Sequence, residues 1–171
     1  MALANRVGFQ LAVILVLPLL ALHGFLQGWP AIWQVVEDCF DRPFLFMGAV
    51  LVGIVIHELV HALTWGIFGG CGFKVVRIGF QWKTMTPFAQ CLVPLTARAY
   101  RLGVVMPGFL LGVLPAMASS VTDLPFLAGF GWCMTMCSGG DLLVLFLLRG
   151  VKGTDLVQDH PEKAGCRLVE S

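Results

Sequence analysis

His57-Glu58-Leu59-Val60-His61 places two imidazoles and a carboxylate within five residues. On a helix, positions i and i+4 lie about one turn apart on the same face, so both imidazoles reach one metal ion. Glu58 projects about 100° around the helix from His57. There it acts on a metal-activated water and does not bind the ion. The segment around the pentad is apolar enough to cross a bilayer. Ionisable groups in hydrocarbon are costly and usually functional, so three together require a reason, and a buried Zn2+ site supplies one.

A catalytic zinc usually takes three protein ligands and keeps one position open. The sequence offers Asp141, in Ser138-Gly139-Gly140-Asp141-Leu142, as the third ligand. It is the one acidic residue besides Glu58 inside the apolar stretches. Read as straight helices, the stretches carrying His61 and Asp141 put both residues about 10 Å from the same membrane face. Gly139 and Gly140 would let those two helices approach closely. Cys137 shares a helical face with Cys133 and Asp141 and is the alternative soft ligand, although small thiols also pack well between helices. His23 reads as an interfacial histidine and His160 as a solvated one. Asp123 falls on the opposite side of the membrane. Arg98 and Gln90 are the polar groups nearest the site for stabilising an oxyanion, and each also suits an interfacial anchor.

The elements that must hold these residues are membrane helices. The chain has 171 residues, 58% hydrophobic and 12% charged, with a mean hydropathy of +0.86. This is a membrane composition and not that of a soluble domain. A net charge of +1 and the lack of a basic patch argue against nucleic-acid binding. Six cysteines without a CxxC pair do not form a disulfide framework.

Four stretches are long enough to span about 30 Å of hydrocarbon: 7–27, 44–68, 102–120 and 126–148. Pro107 and Pro115 are expected to kink the third. The first is expected to be an uncleaved helix and not a signal peptide, since no small-x-small cleavage site follows it. With the N-terminus inside, inner segments carry ten of the eleven Lys and Arg, and the outer loops carry Arg42 alone. Both termini are then cytosolic, and a bacterial plasma (inner) membrane is the expected location.

The fold class expected is an all-α polytopic membrane protein with a short amphipathic β-like loop between the second and third helices. Residues 1–150 would form one transmembrane domain, and 151–171 a polar, loosely ordered cytosolic tail. Phe73 to Lys83 reads as part of a strand pair on the membrane surface that pairs with an unwound substrate by β-augmentation. Four helices offer little protein to shield a water-containing site from lipid, so a homodimer is one expectation.

Three stretches carry a family resemblance. They are His57–Ala62; the ordered run from Arg77-Ile78-Gly79-Phe80 through Cys91, Pro94 and Tyr100-Arg101 to Pro107 and Gly112-Val113-Leu114-Pro115; and Ser138–Asp141. On these the chain resembles the bacterial putative zincin peptidases, membrane proteins of unknown function. More distantly it is similar to the site-2 protease group of intramembrane metalloproteases. That resemblance implies zinc held by His57, His61 and Asp141, a catalytic Glu58, and membrane-spanning segments of other proteins as substrates. The order of glycines and aspartate departs from the site-2 pattern, and Asn5 is the single asparagine, so the oxyanion role stays unassigned.

Two non-proteolytic readings stand beside this one. A scaffold with a structural zinc would need a fourth protein ligand, for which Cys137 is nearest. A transporter would need a polar path through the whole membrane. Here the ionisable residues cluster at one depth.

Overall fold

The computed structural model describes residues 2–70, 72–82, 86–122, 124–159 and 166–169. His160 and Asp123 lie outside the described residues. The chain is mostly helical and divides into two compact units. The first comprises Met1–Ile54 with Gly108–Leu143, and the second Val55–Pro107 with Val144–Ser171.

In the first unit, α1 (Ala2–Gln27) runs unbroken through Pro18. Gly28, at φ 87°, turns the chain into α2 (Pro30–Asp41), which has proline in its first turn. This segment was expected to be an outer loop. It is helical because Val35 is buried and Cys39 packs where a Cβ on Gly129 would sit, 2.5 Å from its sulfur. Trp29, Trp33, Val36 and Phe40 recur every three or four residues, all exposed, as on an interfacial amphipathic helix.

α3 (Pro43–Phe68) begins in this unit and continues into the second. α4 (Ala97–Pro107), a π-helical turn at Gly108–Val113 and α5 (Leu114–Ser119) form one continuous stretch of helix. Prolines 107 and 115 each remove a backbone donor. Between them the helix widens to the π turn.

α6 (Pro125–Cys137) and α7 (Gly139–Leu147) are bent by 46° at Ser138. The stretch expected as one straight fourth span is therefore a broken one, and the described residues hold three candidate spans, or four if the bent pair counts as one. Gly139 sits against the backbone of Gly8 and the Ala12 methyl of α1, and Gly140 faces open space. Gly139 thus serves an approach to the first helix.

The second unit corrects an all-α reading. β1 (Val76–Gln81) and β2 (Thr86–Cys91) pair antiparallel, Ile78 opposite Ala89. β3 (Leu95–Thr96), β4 (Leu156–Asp159) and β5 (Cys166–Val169) form a second antiparallel sheet in the order β3-β4-β5. The boundary expected at residue 150 is not a boundary between units. The described part of the tail is not loose, because it supplies two strands and buries Val157 in a core with Trp65, Leu95, Tyr100, Val104 and Leu148. Short strands without clear alternation leave little periodic signal. Their pairing here is fixed by distant partners, as where Ala97 donates its N–H to the Asp155 carbonyl at 2.8 Å.

Candidate metal centre

The second half of α3 has an inverted pattern. His57, His61, Thr64 and Trp65 are buried, while Leu59, Leu63 and Ile67 are exposed. A water-soluble helix buries the opposite face. Lipid on the outside and polar groups facing protein explain the arrangement.

The two imidazoles meet edge to face, ring centres 4.8 Å apart. The ligand atoms of His57, Glu58 and His61 all lie within 4.8 Å of one another. Groups bound to one zinc at about 2.0–2.2 Å are at most about 4.4 Å apart. Small rotations of the two imidazoles bring both onto one ion, for which their nitrogens are suitable donors, and Glu58 lies beside them within reach of a water on that ion. The donor set therefore fits the metal implied by the sequence.

His61 is oriented by its surroundings. Its Nδ1 lies 2.9 Å from the carbonyl oxygen of Gly103. A carbonyl only accepts, so Nδ1 carries the proton and Nε2 is left with its lone pair for a metal. On its other side the ring stacks on Trp65, which stacks on Tyr100, with centroid separations of 5.2 and 5.4 Å. Trp65 donates its indole N–H to the Tyr100 carbonyl at 3.2 Å. A Cβ at position 103 would fall 2.0 Å from the Trp65 indole nitrogen. Glycine is therefore required where α4 crosses the indole.

Glu58 is half-buried, and its Oε2 accepts the backbone N–H of Ala89 at 2.6 Å. The register explains why that N–H is available. Leu92 donates to the Val75 carbonyl, which makes 75 and 92 a hydrogen-bonded pair. Alternate positions, Ala89 and Cys91 among them, then point their N–H groups away from β1. The outer edge of β2 is accordingly held by two carboxylates, Glu58 on Ala89 and Asp159 on Cys91.

Asp141 lies in the first turn of α7, three residues beyond the break at Ser138, and belongs to the other compact unit. The stretch carrying Asp141 bends by 46° at Ser138 and is not the straight helix on which the equal depths were read. Residue type and family resemblance still favour Asp141. Cys137 closes α6 and is exposed. His23 lies four residues before the end of α1. It is buried edge-on against Trp132, ring centres 5.5 Å apart. Arg98 is exposed on α4 and Gln90 is half-buried on β2.

Sequence reading missed Gly103, Trp65, Tyr100, Ala89 and Asp159. Trp65 alone had a legible signal, four residues after His61 on the same helical face. The others reach the site by backbone atoms or from strands remote in sequence.

No curated protein and no solved structure matches the chain. A family model does. Residues 50–155, more than half of the chain, match the family described as "Putative zincin peptidase". The matched segment contains the His57-Glu58-His61 cluster together with Gly103, Ala89 and Asp141, and the chain belongs to the family so described.

Proposed function

We propose that the protein is a zinc-dependent, membrane-embedded endopeptidase that hydrolyses peptide bonds of membrane proteins, with zinc held by His57, His61 and Asp141 and Glu58 as general base. The observation that carries this reading is the buried His57-Glu58-His61 cluster on an apolar helix long enough to span a bilayer.

Bound zinc would supply Lewis acidity, polarising a peptide carbonyl and drawing the pKa of a water towards 7. Glu58 takes the proton released as water attacks, and hands it to the leaving amine. Ala89 keeps the Glu58 carboxylate in place during both transfers. His61 is held in the tautomer that presents Nε2, and buried Trp65 and Ala62 exclude water behind it. Asp141 is assigned as third ligand by its residue type and by resemblance.

Substrates are expected to be membrane-spanning segments unwound at the scissile bond. The outer edge of β1 suits them. The register turns the N–H groups of Ile78 and Phe80 away from β2, and both residues are exposed. Strand addition there would hold a substrate extended. The distribution of Lys and Arg supports cytosolic termini, and a bacterial inner membrane fits this orientation. A homodimer would add shielding from lipid.

The test is cleavage of a membrane-segment substrate by the detergent-purified wild type and Glu58→Gln, with metal content measured on both. Wild-type cleavage that is lost in the variant at unchanged metal content supports the proposal. Equal cleavage by both proteins refutes the role of Glu58, and no cleavage by wild type at about one zinc per chain favours the structural-zinc scaffold.

A further inference from the structure

The second unit holds a half-buried carboxylate that the proposed chemistry does not use. Asp159 ends β4, beyond residue 155 where the family match stops. Its Oδ2 accepts the Cys91 N–H at 2.7 Å, and its Oδ1 accepts the hydroxyl proton of Tyr100. Burial pushes its carboxyl up, against the pull of the Tyr100 hydroxyl, the Cys91 N–H and the His61 imidazole. A carboxylate kept out of water opposes folding unless it organises something.

What it touches leads to the metal centre by two routes. Along one, Tyr100 is the end of the stack that continues through Trp65 to His61, and the Tyr100 carbonyl anchors the Trp65 indole. Along the other, Cys91 lies two residues from Ala89 on the strand edge that holds Glu58.

We propose that Asp159 is a positioning residue: from the C-terminal strand it fixes Tyr100 and the edge of β2, and through Trp65 it holds the His61 ring with its Nδ1 on the Gly103 carbonyl and its Nε2 free for metal. Metal binding by the HExxH helix thereby depends on a segment about 100 residues away in sequence. The inference concerns ring orientation and so does not require proteolytic activity.

The experiment uses the full chain in detergent. Asp159→Asn turns one acceptor oxygen into a donor NH2, so the Cys91 N–H and the Tyr100 hydroxyl can no longer both donate to it and the charge that holds them is removed. Tyr100→Phe removes the hydroxyl alone. Arg167→Ala, which breaks an exposed contact to Gln158 on the same sheet, is the control for sheet stability. The first readout is 15N NMR of the metal-free histidines, with the His61 signal assigned by His61→Gln. The second is Co2+ affinity by competition with a chelating dye.

Wild type and Arg167→Ala should hold the His61 proton on Nδ1. Asp159→Asn and Tyr100→Phe should spread it over both nitrogens and bind Co2+ about ten-fold more weakly, as loss of an outer-shell partner typically does. Folded variants that keep the Nδ1 proton and the wild-type affinity overturn the proposal. If Asp159→Asn does not fold, Tyr100→Phe decides alone. If the wild type takes up no Co2+, the metal-centre reading fails, and the NMR comparison still decides this one.

Discussion

The carboxylate of Glu58 accepts the backbone N–H of Ala89 at 2.6 Å, tying the glutamate of the HExxH helix to the outer edge of a strand. A group meant to move a proton twice needs a fixed position between the water that gives the proton and the amine that receives it. Glu58→Gln retains an oxygen for Ala89, so fold and metal content should not change. Cleavage should fall at least about 100-fold, the low end of what general acid–base catalysis contributes. Activity and metal analysis on the same sample check this.

The converse change tests the strand. The Ala89 N–H points away from β1, so Ala89→Pro deletes the contact to Glu58 without removing a rung of the β1–β2 ladder. A hydrogen bond to a charged group contributes about 1.5–3 kcal/mol. A drop of about 10- to 100-fold in kcat, at unchanged metal content, is the expected result. A kcat equal to wild type would show that Glu58 needs no help from β2.

Metal content separates the possible third ligands. Wild type should carry about one zinc per chain, the usual occupancy of a three-ligand catalytic site, and Asp141→Ala should lose most of it. Full retention in Asp141→Ala together with loss in Cys137→Ala would transfer the role to the thiol and favour a closed structural site.

Gly103→Ala should damage both packing and metal binding. The added methyl meets the Trp65 indole at 2.0 Å, and that indole is clamped between two rings. Overpacking of this kind costs about 1–3 kcal/mol. The displaced carbonyl would also release His61 Nδ1. Thermal unfolding and zinc titration should both shift, and a shift in stability alone would separate Gly103 from the metal site.

Substrate capture is tested on β1. The Val76 N–H is already used by the Phe73 carbonyl, so Ile78 is the more direct position. Ile78→Pro removes an outward N–H and keeps the ladder to β2. Loss of one backbone hydrogen bond of about 1 kcal/mol would raise KM about five-fold. Unchanged KM, with zinc retained, would exclude strand addition at this edge.

The sequence by itself determined what depends on local chemistry and hydropathy. The i, i+4 imidazoles, the intervening glutamate and the apolar helices were readable, because helical spacing alone brings the side chains of His57 and His61 together. Membership of the family was readable from the pentad together with the ordered run from Arg77 to Pro115 and Ser138–Asp141. The tertiary structure decided what depends on remote backbone. The Gly103 carbonyl on His61 and the Ala89 N–H on Glu58 are main-chain groups, which every residue type carries, so no side-chain pattern marks them. The bend at Ser138 falls where Gly139 packs against Gly8; helical rise along a straight helix supported Asp141 and could not register that bend. Asp159, in a stretch polar enough to read as a loose tail, is half-buried because strand pairing carries it to Tyr100 and Cys91. Contacts separated by 59 and 68 residues leave no periodic trace along the chain.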